Sequence, residues 1–182
     1  MAILIHRSNT CFKNSILKNG LVCKKECEIN LSRDIKSSNN VYTEDINYIL
    51  NKYKPYNTYP SNMINREKCI FFTLKEDCIL TDIWRNLKIE VNSSKLITKK
   101  LFVAPLPLTN IITSGIVNKY PTDVIKAIVE HYWSNSFPLS DYLANKEIIK
   151  STLKKVWDVW GVEYIPEVLY MDNISSNLLT IL

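Results

Sequence analysis

Glycine is scarce in this chain, with three residues among 182, at positions 20, 115 and 161. No glycine-rich phosphate loop can be assembled from them. Both the GxGxxG turn of doubly wound dinucleotide folds and the GxxxxGKS/T loop of P-loop enzymes are therefore missing. Histidine is scarcer still, His6 and His131 alone, which leaves little for a metal site and makes a Ser-His-Asp triad hard to assemble. Long apolar runs are also lacking. Residues 101–108 form one of the longest, and Pro105 and Pro107 interrupt it, so no segment is expected to span a bilayer. No repeat or low-complexity tract occurs.

Cysteine is odd in number, at 11, 23, 27, 69 and 78, and the first residues hold no charged segment followed by a long apolar one. The expectation is a cytoplasmic protein with free thiols. Cys23, Cys27, Cys69 and Cys78 could in principle supply four thiolates to zinc. None of them forms the tight CxxC pair of common structural sites, so buried or incidental thiols and no metal are expected.

What is present describes one globular domain over residues 1–182. Hydrophobic residues make up 46% and charged residues 23%, an ordinary globular composition that excludes disorder as the main state. The formal charge is +5, with its excess mostly before residue 91. That tolerates an anionic ligand without forming the basic stripe that argues nucleic-acid binding by itself.

The chain opens on an apolar run, residues 2–5, read as a strand that delivers His6, Arg7 and Ser8 at its end. Asn9 or Thr10 suits the cap of a short helix with Phe12, Ile16 and Leu17 inward and Gly20 as its stop. Residues 22–41 read as a loop. Thr43 caps a second helix with Ile46, Ile49, Leu50 and Tyr53 on one face, ended by Pro55. Residues 69–73 are β-branched and aromatic and make the clearest early strand.

A helix is expected over Ile79 to Leu87, then strands at 88–91 and 101–104 joined by a serine-containing turn. A helix follows from Pro121 with Val124, Ile125, Ile128, Val129 and Trp133 inward. Another runs from about Asn145 to Trp160, stopped by Gly161, before a last strand within 163–171. Interleaved helices and strands without a strict βαβ rhythm predict an α+β fold with a partly antiparallel sheet.

The polar candidates gather at two strand ends, His6-Arg7-Ser8 and Glu167. A lone histidine after a strand is commonly structural. Glu167, flanked by Ile165, Val168 and Leu169, either faces a cleft or points to solvent from an edge strand, because an unpaired buried carboxylate is expensive.

Four segments together resemble the ADP-ribosyltransferase superfamily, in the branch marked by a His on the first strand, an aromatic on a middle strand and a Glu on a late strand. Ile5-His6-Arg7-Ser8, followed by a helix and Gly20-Leu21, is similar to the family's apolar-His-x-Thr/Ser corner. Residues 68–73 are similar to the aromatic-bearing strand, 87–96 with 100–103 to the middle strands, and 166–174 to the segment that carries the catalytic Glu. Arg7 stands where the family commonly has Gly, and Phe71 or Phe72 where Tyr is usual; residues 104–160 match no family element.

The resemblance implies a split pair of small mixed or antiparallel sheets surrounded by helices, with NAD as co-substrate in the cleft between them. It also implies roles. Glu167 is the catalytic carboxylate that binds the nicotinamide ribose and stabilises an oxocarbenium-like transition state. His6 and Ser8 hold the other ribose, Phe71 or Phe72 packs on nicotinamide, and Arg7 meets the pyrophosphate.

The expected function is ADP-ribose transfer, with NAD hydrolysis as a variant, to a macromolecular acceptor, in a small toxin or defence factor that could have an antitoxin or immunity partner. The acceptor, protein or nucleic acid, stays open. The tyrosines at 42, 48, 53, 56 and 59 interleaved with Lys52 and Lys54 suit stacked bases and phosphates, while Tyr48 and Tyr53 also suit helix packing. A non-enzymatic binding module and an inactive member of the same fold are the competing expectations.

Overall fold

The computed structural model describes residues 2–24, 45–77, 86–157 and 163–182. Strand β1 is Ile3–Ser8, so the expected polar corner His6-Arg7-Ser8 is itself part of the strand. The Asn9 side chain accepts from the Cys11 amide and opens a 3-10 turn over Thr10–Phe12. Helix α1, Lys13–Asn19, follows directly.

Of its expected inward residues only Ile16 is buried; Phe12 and Leu17 are exposed. Gly20 ends the helix at φ 77° with its N–H on the Ile16 carbonyl. A β-carbon there would lie 1.9 Å from the Ile174 carbonyl oxygen. Leu21 then exchanges both backbone hydrogen bonds with Ile174.

Helix α2 is Asp45–Lys52, with Ile46 and Leu50 buried; its expected cap Thr43 lies outside the described residues. Strand β2, Ile70–Leu74, and strand β3, Leu87–Asn92, alternate buried and half-buried positions as half-covered strands do. The helix expected at 79–87 falls mostly outside the described residues, and Leu87 begins β3 instead of closing a helix. Strand β4, Leu101–Pro105, is buried on both faces.

Helix α3, Leu106–Val117, was not expected, because two prolines crowd its start. Pro107 sits in the first turn, where the missing N–H has no partner to lose. Helix α4 is Thr122–Ser134; its inward face holds Ile125, Ile128, Val129 and Trp133 as expected, but Val124 is exposed and Tyr132 is fully buried. The Trp133 indole N–H donates to the Leu50 carbonyl at 2.8 Å and ties α4 to the last turn of α2.

Strand β5, Phe137–Pro138, and helix α5, Leu139–Ala144, lead into helix α6, Lys146–Trp157. The expected stop at Trp160 and Gly161 lies outside the described residues. Strands β6, Pro166–Tyr170, and β7, Leu179–Ile181, complete the set.

These strands form one seven-stranded sheet in the order β5-β4-β6-β2-β1-β3-β7. Every ladder among the described residues is antiparallel, and the α+β class holds. The expected split pair of small mixed or antiparallel sheets is replaced by one continuous antiparallel sheet among the described residues. Its seam is narrow, however. Strands β1 and β2 share only the pairs Leu4 with Leu74 and Ile5 with Thr73. By contrast, β1 pairs with β3 along all of Ile3–Ser8, and β2 pairs with β6 from Ile70 to Thr73. Strands β3 and β4, although consecutive, lie in opposite halves. No helix among the described residues is long and apolar enough to cross a membrane.

Candidate functional site

The three strands that carry the sequence-predicted residues are consecutive neighbours in the middle of the sheet: β6 with Glu167, β2 with Phe71 and Phe72, β1 with His6, Arg7 and Ser8. Residues paired across antiparallel strands share a face. Glu167 pairs with Thr73, and Thr73 with Ile5, so Glu167, Phe71 and Arg7 belong to one face. His6, Ser8 and Phe72 alternate onto the other. His6 and Glu167, expected together, are thus separated by the sheet as far as the shared ladder extends.

Glu167 is neither at an edge nor unpaired. Strand β6 is flanked by β2 and β4, and Glu167 is 4% exposed. Arg66, also 4% exposed, grips it with both arms, Nη1 to Oε1 at 2.6 Å and Nη2 to Oε2 at 3.0 Å. The Tyr132 hydroxyl donates to the same Oε1 at 3.0 Å and also meets Nη1 of Arg66. Asn47 accepts from Arg66 Nε at 2.6 Å, and Asn51 accepts from the Arg66 backbone N–H.

The guanidinium lies 4.7 Å from the Phe71 ring centroid and 5.3 Å from that of Tyr132. Every element around the site has a local cause. Asn65 accepts from the Glu67 N–H and turns the chain through Arg66–Lys68 just ahead of β2. Helix α2 presents Asn47 and Asn51 one turn apart, and α4 brings Tyr132.

The electrostatics follow from this packing. Burial opposes the charge on Arg66, yet Glu167 and Tyr132 outweigh it and hold the guanidinium above its ordinary range. Burial pushes the Tyr132 phenol well up, helped by Glu167 and opposed by Arg66, so Tyr132 stays a neutral donor. Cys69, whose thiol donates to the Asn65 carbonyl at 3.2 Å, is pushed up to about 12, chiefly by burial. Beside Glu167 on the same face, the Thr73 hydroxyl is buried with no hydrogen-bond partner among the described residues.

Across the seam His6 takes over where the ladder stops. Its Nδ1 lies 2.9 Å from the Phe71 carbonyl, and because a carbonyl only accepts, the proton sits on Nδ1. Its ring meets Phe72 edge-on at 5.7 Å between centroids. Phe71 therefore touches both sets, its ring under Arg66 and its carbonyl on His6. Phe72 is buried at 2% exposure whereas Phe71 is half-buried. Arg7 pairs with Lys88, two cations side by side, and Ser8 pairs with Leu87 at the end of β1.

Arg66 is the most consequential of the participants that sequence reasoning missed, with Tyr132, Asn47 and Asn51 around it. It sits in a polar connector with no period to mark it, and its one signal is indirect: a carboxylate in an apolar strand requires a cation. Cys11, Cys23 and Cys69 are free thiols; Cys27, Cys78 and Tyr42 lie outside the described residues. Among the described residues no group of three or more His, Cys, Asp or Glu side chains could hold a metal ion. Compared with known proteins, the chain matches no family model, no curated protein and no solved structure.

Proposed function

We propose that this chain is an NAD-dependent ADP-ribosyltransferase with Glu167 as its catalytic carboxylate. The observation that carries the reading is the adjacency of β1, β2 and β6, the strands bearing His6, the aromatic pair and Glu167, together with a seam between β1 and β2 only two residue pairs long. Beyond Ile5 and Thr73 the ladder gives way to the His6–Phe71 carbonyl hydrogen bond, and this reading requires that bond to open so that NAD enters the seam in place of a cleft between two sheets. The Thr73 hydroxyl beside Glu167, buried with no hydrogen-bond partner among the described residues, fits a polar ligand there.

In this reading Phe71, and not the buried Phe72, faces the nicotinamide, and His6 and Ser8 hold a ribose. Arg7, next to Lys88, meets the pyrophosphate. Glu167 receives a ribose hydroxyl and stabilises positive charge developing at the anomeric carbon. To do so it releases one bond it now makes. The neutral Tyr132 hydroxyl is the cheaper one to displace, since the two Arg66 bonds are charge-assisted and bidentate.

The burial of Glu167 supports a second reading, an inactive member of the fold in which the Arg66–Glu167 pair serves stability alone. Nicotinamide release from NAD by purified wild type, Glu167→Gln and Ser8→Ala, with and without cell lysate as acceptor source, separates the two. The transferase reading expects release by wild type and a fall of about a hundredfold or more in Glu167→Gln. Thermal melts of each variant distinguish lost chemistry from lost fold. Wild type that releases no nicotinamide under either condition overturns the proposal in favour of the inactive fold.

A further inference from the structure

Residues 46–66 contain no aspartate or glutamate and carry Lys52, Lys54 and Arg66. Arg66 is committed to Glu167, Lys54 is half-buried and donates to the Ile64 carbonyl at 2.7 Å, and Lys52 stays exposed among tyrosines. Lys52 Nζ lies 5.7 Å from the Tyr48 ring centroid and 5.2 Å from that of Tyr53; Lys54 Nζ lies 5.5 Å from that of Tyr56. From α4, Lys126 Nζ reaches within 5.3 Å of the same Tyr53 ring. Tyr56 and Tyr59 are 65% and 61% exposed, Tyr59 meeting Phe102 edge-on at 6.4 Å between centroids.

An open groove of about 410 Å³ adjoins this patch, lined by Pro55 and Thr58 on one side and by Ala127, Glu130, His131 and Ser134 of α4 on the other. Its size suits one nucleoside, and Lys126 stands next to its Ala127 wall.

We infer that this tyrosine and lysine surface binds single-stranded nucleic acid, with bases stacked on Tyr56 and Tyr59, phosphates on Lys52 and Lys126, and one nucleotide in the groove. The exposed Tyr56 and Tyr59 rings offer π-faces to any base, and Lys52 and Lys126, whose ammonium groups lie over the Tyr48 and Tyr53 rings, supply charge for the backbone; this combination is selective for unpaired strands because a duplex hides its base faces. Charge complementarity decides the occupant. Residues 46–66, without carboxylates and with lysines over three tyrosine rings, attract a polyanion even with Glu130 on the groove wall, whereas an exposed protein surface of mixed charge gains less from them. The inference does not rest on the glycosidic chemistry proposed above, and binding is measurable without NAD.

The test is fluorescence anisotropy with labelled 20-nucleotide deoxy and ribo oligonucleotides and the matching duplex, titrated with wild type over a salt series. Single strands are expected to bind more tightly than duplex, with log K falling against log salt at a slope of about −0.7 per phosphate contacted. Tyr56→Ser and Tyr59→Ser are each expected to weaken binding about tenfold. Lys52→Gln with Lys126→Gln is expected to flatten the salt slope by about 1.4. All four positions are on the surface, so melting temperatures should not move. Preference between deoxy and ribo strands identifies the natural sugar. Duplex bound as tightly as single strands, no binding at low salt, or binding unchanged by these four substitutions would each overturn the inference.

Discussion

A guanidinium and a carboxylate that have both left water must justify the loss through each other. Here they do so with two direct bonds and a tyrosine between them. Removing one partner strands the other. Arg66→Leu is expected to cost about 3–5 kcal/mol in urea unfolding, while the double exchange Arg66→Met with Glu167→Leu should recover most of it. A double variant as unstable as the single would show that the site needs charge, and not merely volume, at these positions.

Thiol chemistry provides a second check on the same corner. Cys69, buried and pushed up to about 12, should remain unmodified by iodoacetamide at pH 8 under conditions that label the exposed Cys11, as peptide mapping would reveal. Rapid labelling of Cys69 in the native protein would mean that the packing around Arg66 opens readily. Glu167 was legible in the sequence because a carboxylate between Val168 and Ile165 demands an explanation. Arg66, Tyr132, Asn47 and Asn51 were not, since each looks ordinary in its own segment and acquires meaning only when α2, α4 and β6 converge.

Single elements were readable where local chemistry dictates them and opaque where the fold overrides it. Gly20 and Pro55 bound their helices as expected, whereas Asn9 caps the 3-10 turn Thr10–Phe12 and leaves α1 with Phe12 at its N-cap, and β2 and β6 lie within a residue or a few of their expected ends. Helix α3 escaped notice because Pro105 and Pro107 read as a break, although a proline in the first turn disturbs nothing. Phe12 and Leu17 share a helical period with Ile16 yet stay exposed, because so short a helix buries little more than one side chain against the sheet.

Gly20 makes the sharpest prediction at this scale. Its φ of 77° disfavours any side chain, and a β-carbon would collide with the Ile174 carbonyl. Gly20→Ala must therefore break the Leu21–Ile174 bridge or distort the end of α1, at a cost on the order of 2 kcal/mol or more. Urea unfolding would measure it, and a loss under 0.5 kcal/mol, of the size expected from an ordinary surface exchange, would mean that the bridge is dispensable.

The whole molecule depends on pairings that no local pattern announces. Strands β3 and β4 are consecutive, yet they sit on opposite sides of the β1–β2 seam, the alternating Leu87–Asn92 beside β1 and β7 and the wholly apolar Leu101–Pro105 between β5 and β6. The fold also sets how the molecule responds to acid. Burial holds His131 below its usual range. Hydrogen bonds from Lys75 and Lys100 hold Glu90 and Asp172 below theirs. In each case the unfolded chain takes up its proton first as pH falls, so the folded state loses ground. For His131 that loss begins below 6.5, its reference value; for Glu90 and Asp172 it begins below 4.5 and 3.8.

Melting temperature should therefore be level from pH 8 to about 6.5, decline gently below it, and decline again in the carboxylate range. His131→Gln should abolish the first decline and leave the second, and Lys100→Met should reduce the second alone. Both steps should be small, because these groups are partly exposed and screened. A first decline that persists in His131→Gln would show that burial of this imidazole is not its cause.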